Sequence, residues 1–120
     1  RFKSINDTYG HLVGDQILAG VARVMKTTLR TSDTCARWGG EEFIFLLPDT
    51  DLPGATAYAE RLRQAVADHP FTMQDEERTV TISIGGTTYH AGQTLNEMLE
   101  TADTMLYQAK VTGRNRACLA

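Results

Sequence analysis

Two glycines and two glutamates stand side by side in the segment RWGGEEF, residues 37–43. Glycine carries no Cβ, so a phosphate group can approach the backbone closely at Gly39 and Gly40. Adjacent strand residues point to opposite faces, so one of Glu41 and Glu42 faces the covered side unless the turn absorbs it. A carboxylate there needs a partner, and a metal ion is one such partner. The residues allow a phosphate-and-cation site at a hairpin tip, while a Gly-Gly pair alone is more often a simple turn.

The chain on either side of this segment predicts the elements that must hold it. Apolar residues recur at intervals of three and four over residues 15–30, which predicts an amphipathic helix. The glycine pair separates a short mixed stretch, 34–38, from the apolar run 43–47, and this arrangement predicts a β-hairpin. Because the run does not alternate, we expect its strand to be covered on both faces.

The middle of the chain predicts a second helix and a further strand. Asp51 is a suitable N-cap for the helix, and His69-Pro70 ends it, since proline disfavours helical backbone in the residue before it. The polar stretch 74–78 is typical of a turn. Residues 79–84 alternate between apolar and polar, which predicts a strand with one buried face.

The last part of the chain predicts a helix with a signal at each end. Thr94 and Glu97 have the spacing of a capping box, and Gly113 ends the helix that follows. A short strand at 117–119 completes the order helix, hairpin, helix, strand, helix, strand. That order predicts an α/β domain of the α+β sandwich kind, in which helices flank a central, mostly antiparallel sheet.

Composition excludes several classes of protein. The 120 residues suit one domain with one core, and the formal net charge of -3 argues against a surface that binds nucleic acid. No apolar run approaches the ~20 residues that a membrane-spanning helix needs. Cys35 and Cys118 lack the spacing of a metal site, so two reduced thiols are expected.

Four segments of the chain resemble the GGDEF family, the diguanylate cyclases, in the family's own order. GGEEF at 39–43 is similar to the signature motif, in its variant with glutamate third. FKSINDTYGHLVGD at 2–15 resembles the FKxINDxxGHxxGD segment, and TISIG at 81–85 resembles an internal strand. ADTMLYQAKVTGRNR at 102–116 resembles the ADxALYxAKxxGRNR segment. Because these matches span nearly the whole chain, residues 1–120 are identified as one domain of this family.

The resemblance implies a fold similar to that of adenylyl cyclases, and a defined reaction. Members of the family condense two GTP molecules into cyclic di-GMP with release of pyrophosphate, using Mg²⁺ or Mn²⁺. Each domain holds one GTP, so the implied partner is a second copy in a homodimer, where each ribose hydroxyl attacks the other nucleotide's α-phosphate. The family also implies an upstream sensory domain and a cytoplasmic location, including the cytoplasmic part of a membrane-anchored sensor.

The resemblance also assigns roles to individual residues. Glu41 matches the metal ligand and general base, Lys3 joins it in the catalytic set, and Glu42 is a less direct candidate for the same metal. Among the other implied GTP contacts, the cations around the triphosphate are Lys3, Lys110 and Arg114, and the glycines whose backbone lies against the phosphates are Gly39 and Gly40. The side chains that read guanine are Asn6 and Asp15, and the histidine near the nucleotide is His11.

Without the resemblance, several of these residues have simpler interpretations. Lys110 and Arg114 lie at a predicted helix end, where cations offset the helix dipole. Asp15 is typical of a helix N-cap, and Asn6 is typical of a turn. His11 fits a structural hydrogen bond as well as a contact with a nucleotide.

Arg30 and Asp33 form an Arg-x-x-Asp pattern, upstream of Gly39 at the spacing of the family's product-inhibition site. The resemblance implies that this pair binds cyclic di-GMP, with the arginine gripping phosphate or guanine through two hydrogen bonds. Arg61 matches a second arginine that some members offer to the same ligand. Without this register, Arg-x-x-Asp is usually a surface ion pair that contributes little to stability.

The family's second metal-binding aspartate has no counterpart in these residues. It lies at the end of a strand that should precede Arg1, so we expect a clipped domain that lacks its N-terminal helix and first central strand. Loss of that strand would expose unpaired backbone, and we expect the fragment to be marginally stable and weak or inactive as a cyclase. The alternative to an enzyme is a cyclase-derived receptor module that binds GTP or cyclic di-GMP without turnover.

Overall fold

The computed structural model of the protein describes residues 10–120. The predictions for Lys3 and Asn6 lie outside this range, and the side chain of His11 is not described either. No helix within the range is long and apolar enough to cross a lipid bilayer. In chain order the elements are α1 His11–Thr27, β1 Thr34–Gly39, β2 Glu42–Leu46, α2 Leu52–Asp68, β3 Phe71–Met73, β4 Glu76–Arg78, β5 Ile84–Gly86, α3 Leu95–Val111 and β6 Ala117–Leu119.

The described residues combine helices with paired strands. Their hydrogen bonds define three two-stranded sheets, of which β1–β2 and β3–β4 are antiparallel and β5–β6 is parallel. The chain divides into two compact units. The first runs to Pro48 and includes Ala65–Val80, and the second comprises Asp49–Gln64 and Thr81–Ala120. The predicted α+β class, with mostly antiparallel strand pairs, is confirmed.

Helix α1 begins and ends earlier than the predicted range 15–30. It begins at His11, directly after Gly10, whose φ of 88° lies outside the helical region. It ends at Thr27, where the hydroxyls of Thr27 and Thr28 each donate to a backbone carbonyl three residues back, at 2.6 Å. The Thr28 amide also donates to the Met25 carbonyl at 3.1 Å, so the last turn of the helix closes with bonds that span three residues.

The apolar face of α1 packs on β3 in the first unit. A Cβ at Gly20 would lie 3.1 Å from the ring of Phe71, so the absence of a side chain lets the helix and the strand approach closely. This packing builds the core of the first unit. The buried apolar residues that the structure describes in this unit are Ile17, Leu18, Val21, Val24, Met25, Val66, Phe71, Met73 and Val80.

The hairpin predicted around the glycine pair is confirmed as the antiparallel pair β1–β2. In β2, Phe43, Ile44 and Phe45 are half-buried, and Leu46 is exposed. The prediction that this strand is covered on both faces is therefore wrong for the described structure. Strand β1 is the main neighbour of β2, and a two-stranded ribbon leaves part of each face open.

A second hairpin, which the sequence pattern does not predict, joins β3 to β4. The sequence predicts one turn over residues 74–78, but the turn consists of Gln74 and Asp75, with left-handed φ values of 50° and 68°. The remaining three residues form β4, and all of them are exposed. Charged residues that face solvent carry no apolar pattern, so this strand is invisible to an argument from periodicity.

The predicted strand at 79–84 is wrong over most of its length. Residues 79–83 form no strand, and β5 begins only at Ile84. The alternation does place Val80 in the core. However, β6 pairs with this stretch only from Ile84 onward, where the Ile84 amide donates to the Arg116 carbonyl at 2.9 Å. A strand extends only as far as its partner, which alternation does not reveal.

The predicted start signals of α2 and α3 are confirmed. Asp51 caps α2, because its carboxylate accepts the Gly54 amide at 2.9 Å. The capping box of α3 is complete: the Thr94 hydroxyl accepts the Glu97 amide at 3.1 Å, and the Glu97 carboxylate accepts the Thr94 amide at 2.8 Å. Each bond satisfies an amide that the first turn of a helix leaves without a partner.

Strand β5 lies directly against α3 in the second unit. A Cβ on Gly85 would fall 2.1 Å from the Leu106 amide nitrogen and 2.3 Å from the Ala102 carbonyl oxygen. Both are backbone atoms that cannot move aside without displacing the helix. The backbone of β5 can therefore contact the backbone of α3 only because residue 85 is glycine.

Candidate functional site

The GGEE segment forms the tip of the β1–β2 hairpin. Gly39 pairs with Glu42, so the turn consists of Gly40 and Glu41 rather than of the two glycines. Gly40 takes a left-handed φ of 51°. Arg37 Nε donates to the Gly40 carbonyl at 2.7 Å, and a register shift between Arg37 and Gly39 marks a bulge in β1. The hydrogen bond and the bulge give the tip a defined conformation.

The two glycines at the tip differ in whether their backbone conformation requires glycine. A Cβ at Gly39 or at Gly40 would meet no heavy atom within 4 Å, so packing requires glycine at neither position. The left-handed φ does favour glycine at Gly40, because other residues adopt it at a cost. Gly39 has no positive φ. Nothing in the described fold explains glycine at Gly39, and its bare backbone is open to an external group such as a phosphate.

The carboxylates of the tip are exposed at both Glu41 and Glu42. Glu41 lies in the turn and only Glu42 belongs to β2, so the two side chains do not alternate across a strand. Neither of them faces a covered side. Among residues 10–120, no three His, Cys, Asp or Glu side chains come together as a metal site. Two adjacent carboxylates beside open backbone fit Mg²⁺, which binds through one or two carboxylates and otherwise keeps water and phosphate oxygens.

Arg30 and Asp33 bind each other through several hydrogen bonds. Arg30 Nη2 donates to Asp33 Oδ1 at 2.8 Å, and Arg30 Nε lies 3.1 Å from both carboxylate oxygens. The Arg30 backbone amide donates to Asp33 Oδ2 at 2.9 Å, and Nη2 also donates to the Pro48 carbonyl at 3.0 Å. The Asp33 side chain is 1% exposed and that of Arg30 is 53% exposed. The pair holds a partly exposed guanidinium in one position, unlike an ordinary surface pair.

Lys110 and Arg114 lie on either side of the end of α3, and both are exposed. Gly113 leaves the helix with a φ of 133°, and Arg114 and Asn115 follow with left-handed φ values of 60° and 47°. The Arg114 amide donates to the Ala109 carbonyl at 2.9 Å, which ties this segment to the helix. Both cations are accessible to an anion, and their contact with a triphosphate stays a prediction.

One contact that the sequence does not reveal joins α2 to this segment. Arg63 Nη1 donates to Asn115 Oδ1 at 2.9 Å, across 52 positions of the chain. Asn115 belongs to the segment GRNR at 113–116, which the sequence already singles out. No local signal marks Arg63, and a pair this far apart in sequence becomes visible only in the folded chain.

The remaining predicted residues lie on exposed helix surfaces. Arg61 on α2 places its guanidinium carbon 5.1 Å from the centre of the Tyr58 ring, a cation–π geometry. Asp15 is exposed within α1, which begins four residues earlier, so its interpretation as an N-cap is wrong. By unit, the described site residues divide into Asp15, Arg30, Asp33, Gly39, Gly40, Glu41 and Glu42 in the first and Arg61, Lys110 and Arg114 in the second.

Comparison with known proteins gives one family along nearly the whole chain. The family model described as "Diguanylate cyclase, GGDEF domain" matches residues 1–116. Diguanylate cyclase A of Treponema denticola is 44% identical over 120 residues, which cover 99% of this chain and 32% of that protein. The chain thus spans about a third of the length of this curated relative.

Solved structures show the same similarity. The diguanylate cyclase SiaD from Pseudomonas aeruginosa, in complex with its activator SiaC, has a TM-score of 0.95 and 42% identity, covering 99% of this chain and 46% of that chain. The GGDEF domain of DgcB from Caulobacter crescentus, in complex with c-di-GMP, has a TM-score of 0.93 and 32% identity, covering 98% of this chain and 71% of that chain.

Proposed function

Because this chain belongs to the GGDEF-domain family of diguanylate cyclases, we propose that it condenses two GTP molecules into cyclic di-GMP and releases pyrophosphate. The observation that carries the proposal is the hairpin tip. There, no described residue lies where a Cβ on Gly39 would stand, and the two exposed carboxylates of Glu41 and Glu42 lie beside this bare backbone. A polyphosphate with its divalent cation matches both features.

The tip residues take the central roles in the proposed reaction. Glu41 and Glu42 would hold the divalent metal ion, and the Gly39 backbone would lie against the phosphates. When bound, Mg²⁺ or Mn²⁺ neutralises charge on the phosphoryl group under attack. Glu41 accepts the proton of the attacking ribose hydroxyl, whose oxygen bonds to the α-phosphorus of the second nucleotide as pyrophosphate leaves.

Cations and polar side chains elsewhere bind the nucleotide in this proposal. Lys110 and Arg114, with Lys3, neutralise the triphosphate, where negative charge accumulates in phosphoryl transfer. Asp15 accepts from the N–H groups of guanine, and Asn6 donates to its O6 oxygen. His11 lies near the nucleotide. Asp15 lies in α1, four residues after the helix begins, and its exposure leaves the carboxylate accessible for this role.

The proposed reaction requires two GTP molecules, and one domain binds one of them. A second copy of the domain is therefore the proposed partner, and bringing two copies together is the proposed switch. A sensory domain in a longer parent protein, with the catalytic part in the cytoplasm, would control that encounter.

Product inhibition at Arg30 and Asp33 forms the regulatory part of the proposal. The DgcB domain, which is similar to this chain, has been solved with c-di-GMP. Asp33 holds the Arg30 guanidinium in place while about half of that side chain stays exposed, so Arg30 can grip a phosphate or a guanine of the product. Arg61 is the proposed second arginine for this ligand.

Product analysis tests the catalytic proposal. The chain, and a version extended by the strand that the family places before Arg1, are incubated with GTP and Mg²⁺, and nucleotides are separated by chromatography. We expect cyclic di-GMP from the extended chain and little or none from the unextended one. In the extended chain, Glu41→Gln should lower the rate roughly 10²–10⁴-fold, the usual contribution of a general base. Glu77→Gln, at an exposed glutamate of β4, is the matched control. Bound GTP without product from either chain would favour the receptor alternative.

Inhibition is tested separately with the Arg30→Ala variant of an active chain. We expect added cyclic di-GMP to inhibit the unchanged chain and to lose most of its effect on the variant. Melting temperatures, with and without the product, ensure that the variant is folded when the rates are compared. A folded variant that is inhibited as strongly as the unchanged chain overturns the assignment of this pair.

A further inference from the structure

Arg63 is fixed by neighbouring residues on its own helix. Its Nε donates to Glu60 Oε2 at 3.0 Å and its Nη2 to Gln64 Oε1 at 2.8 Å, and Nη2 also donates to Glu60 Oε1. The hydrogen bond from Arg63 lowers the pKa of Glu60, so this carboxylate stays charged at neutral pH. The Arg63 side chain is only 15% exposed. Since the guanidinium is a rigid fork, these bonds also orient its remaining nitrogen, Nη1.

The Nη1 atom of Arg63 reaches the segment that follows α3. It donates to Asn115 Oδ1 at 2.9 Å. Arg114 and Asn115 are consecutive residues with left-handed backbone, at φ 60° and 47°. Asparagine tolerates this conformation, but a bulky residue such as arginine adopts it rarely and at a cost in free energy.

A strained backbone persists only where the surrounding structure holds it. The described residues show three such supports around Arg114. Arg116 Nε donates to the Arg114 carbonyl at 3.2 Å. The Arg114 amide donates to the Ala109 carbonyl at 2.9 Å on the side of α3. The side chain of the next residue, Asn115, is held by Arg63 on the side of α2. The bond from Arg63 is the one among these three that comes from another helix, α2.

We propose that Arg63 is a positioning residue for a nucleoside triphosphate. By holding Asn115, it maintains the left-handed conformation of Arg114 and so directs the Arg114 guanidinium toward the phosphates. Arg63 itself need not touch the nucleotide, because its Nε, Nη1 and Nη2 atoms already donate to Glu60, Gln64 and Asn115 within the protein. This inference rests on the proposed function, in which Arg114 binds the triphosphate of GTP.

The test measures the affinity of the full chain for α,β-methylene GTP and for GMP. We expect Arg63→Ala to weaken binding of the triphosphate analogue by roughly ten- to a hundredfold, since misplacing a positioned group has effects of this size. Binding of GMP should change little, because it lacks the phosphates that Arg114 is proposed to bind. Asn115→Ala should weaken binding of the triphosphate analogue as Arg63→Ala does. Asn115→Asp keeps an acceptor oxygen for Arg63, so this variant should bind the analogue nearly as tightly as the unchanged chain. The control is Arg78→Ala, at an exposed arginine that bonds Glu76 in β4.

A double-mutant cycle separates positioning from a merely structural role. If Arg63 acts through Arg114, Arg63→Ala causes no further loss in an Arg114→Ala background. An equal loss in both backgrounds overturns the proposal, and so does a lowered melting temperature with unchanged affinity. If Arg63→Ala does not fold, Asn115→Ala replaces it and is combined with Arg114→Ala in the same double-mutant cycle. If Arg114→Ala alone leaves the affinity for the triphosphate unchanged, the role of Arg114 in the proposed function fails and the inference fails with it.

Discussion

Asp33 and Arg30 form a hydrogen-bonded ion pair in which the acid is buried and the base is not: 1% of the Asp33 side chain is exposed, against 53% of the Arg30 side chain. Arg78 and Glu76 form a second pair at the same distance, 2.8 Å, but there both side chains are more than half exposed, at 55% and 63%. At equal distance, the two pairs differ in the burial of the acid, and Arg30 also donates to the Pro48 carbonyl. A buried carboxylate that loses its cation pays a desolvation cost that an exposed one avoids.

Arg30→Ala should lower the free energy of unfolding by about 1–3 kcal/mol, because the buried carboxylate of Asp33 loses its charged donors. Arg78→Ala should change it by no more than about 0.5 kcal/mol, the usual effect of an exposed pair. Urea denaturation at neutral pH measures both values. Equal losses in the two variants would show that burial of the acid does not decide the strength of the pair.

Gly39→Ala and Gly40→Ala should separate function from stability at the hairpin tip. At Gly40 the left-handed φ of 51° makes alanine cost about 1–2 kcal/mol. At Gly39 a Cβ meets nothing in the described protein, so stability should change by less than about 0.5 kcal/mol. We nevertheless expect Gly39→Ala to reduce cyclic di-GMP formation, since its Cβ would occupy the space proposed for a phosphate. Full activity in a stable Gly39→Ala variant would place the phosphates elsewhere.

Features set by neighbours in the sequence could be predicted. The capping box at Thr94 and Glu97 and the cap at Asp51 depend on side chains that reach an amide three residues away, so their spacing identifies them. The hairpin around Gly39 and Gly40 follows from the conformational freedom of glycine in the same way. The turn still falls one residue later than the glycine pair suggests, because the bulge in β1 shifts the register.

Features set by distant partners could not be predicted. Strand β5 begins at Ile84 because β6 pairs with it from there, and no pattern within residues 79–84 carries that information. The burial of the Asp33 carboxylate is likewise a property of the folded unit rather than of the Arg-x-x-Asp pattern. In the candidate site, the motif residues could be identified from sequence, whereas Arg63, which supports one of them, could not.

Gly85→Ala should be far more damaging than Gly86→Ala in the neighbouring position of β5. A Cβ on Gly85 would collide with backbone atoms of α3 at 2.1 and 2.3 Å. A Cβ on Gly86 would approach the Leu119 side chain, with Cδ2 at 2.8 Å, and that chain end can rotate away. We expect a loss of at least about 3 kcal/mol for Gly85→Ala and about 1 kcal/mol for Gly86→Ala. Urea denaturation compares them, and similar losses would mean that β5 can move off the helix at little cost.

Cys35 should react slowly with iodoacetamide at neutral pH, because burial raises the pKa of its thiol above the ordinary value of 9.0, against the opposing charge of Lys26. The thiolate is the reactive form, so the labelling rate should rise with pH and reach half its maximum above pH 9.0. Removing the charge in Lys26→Gln should move that midpoint higher still. The rates are measured by mass spectrometry in a Cys118→Ser background, with the urea-unfolded chain as the reference. A midpoint at or below that of the unfolded chain would show that the folded protein does not shield this thiol.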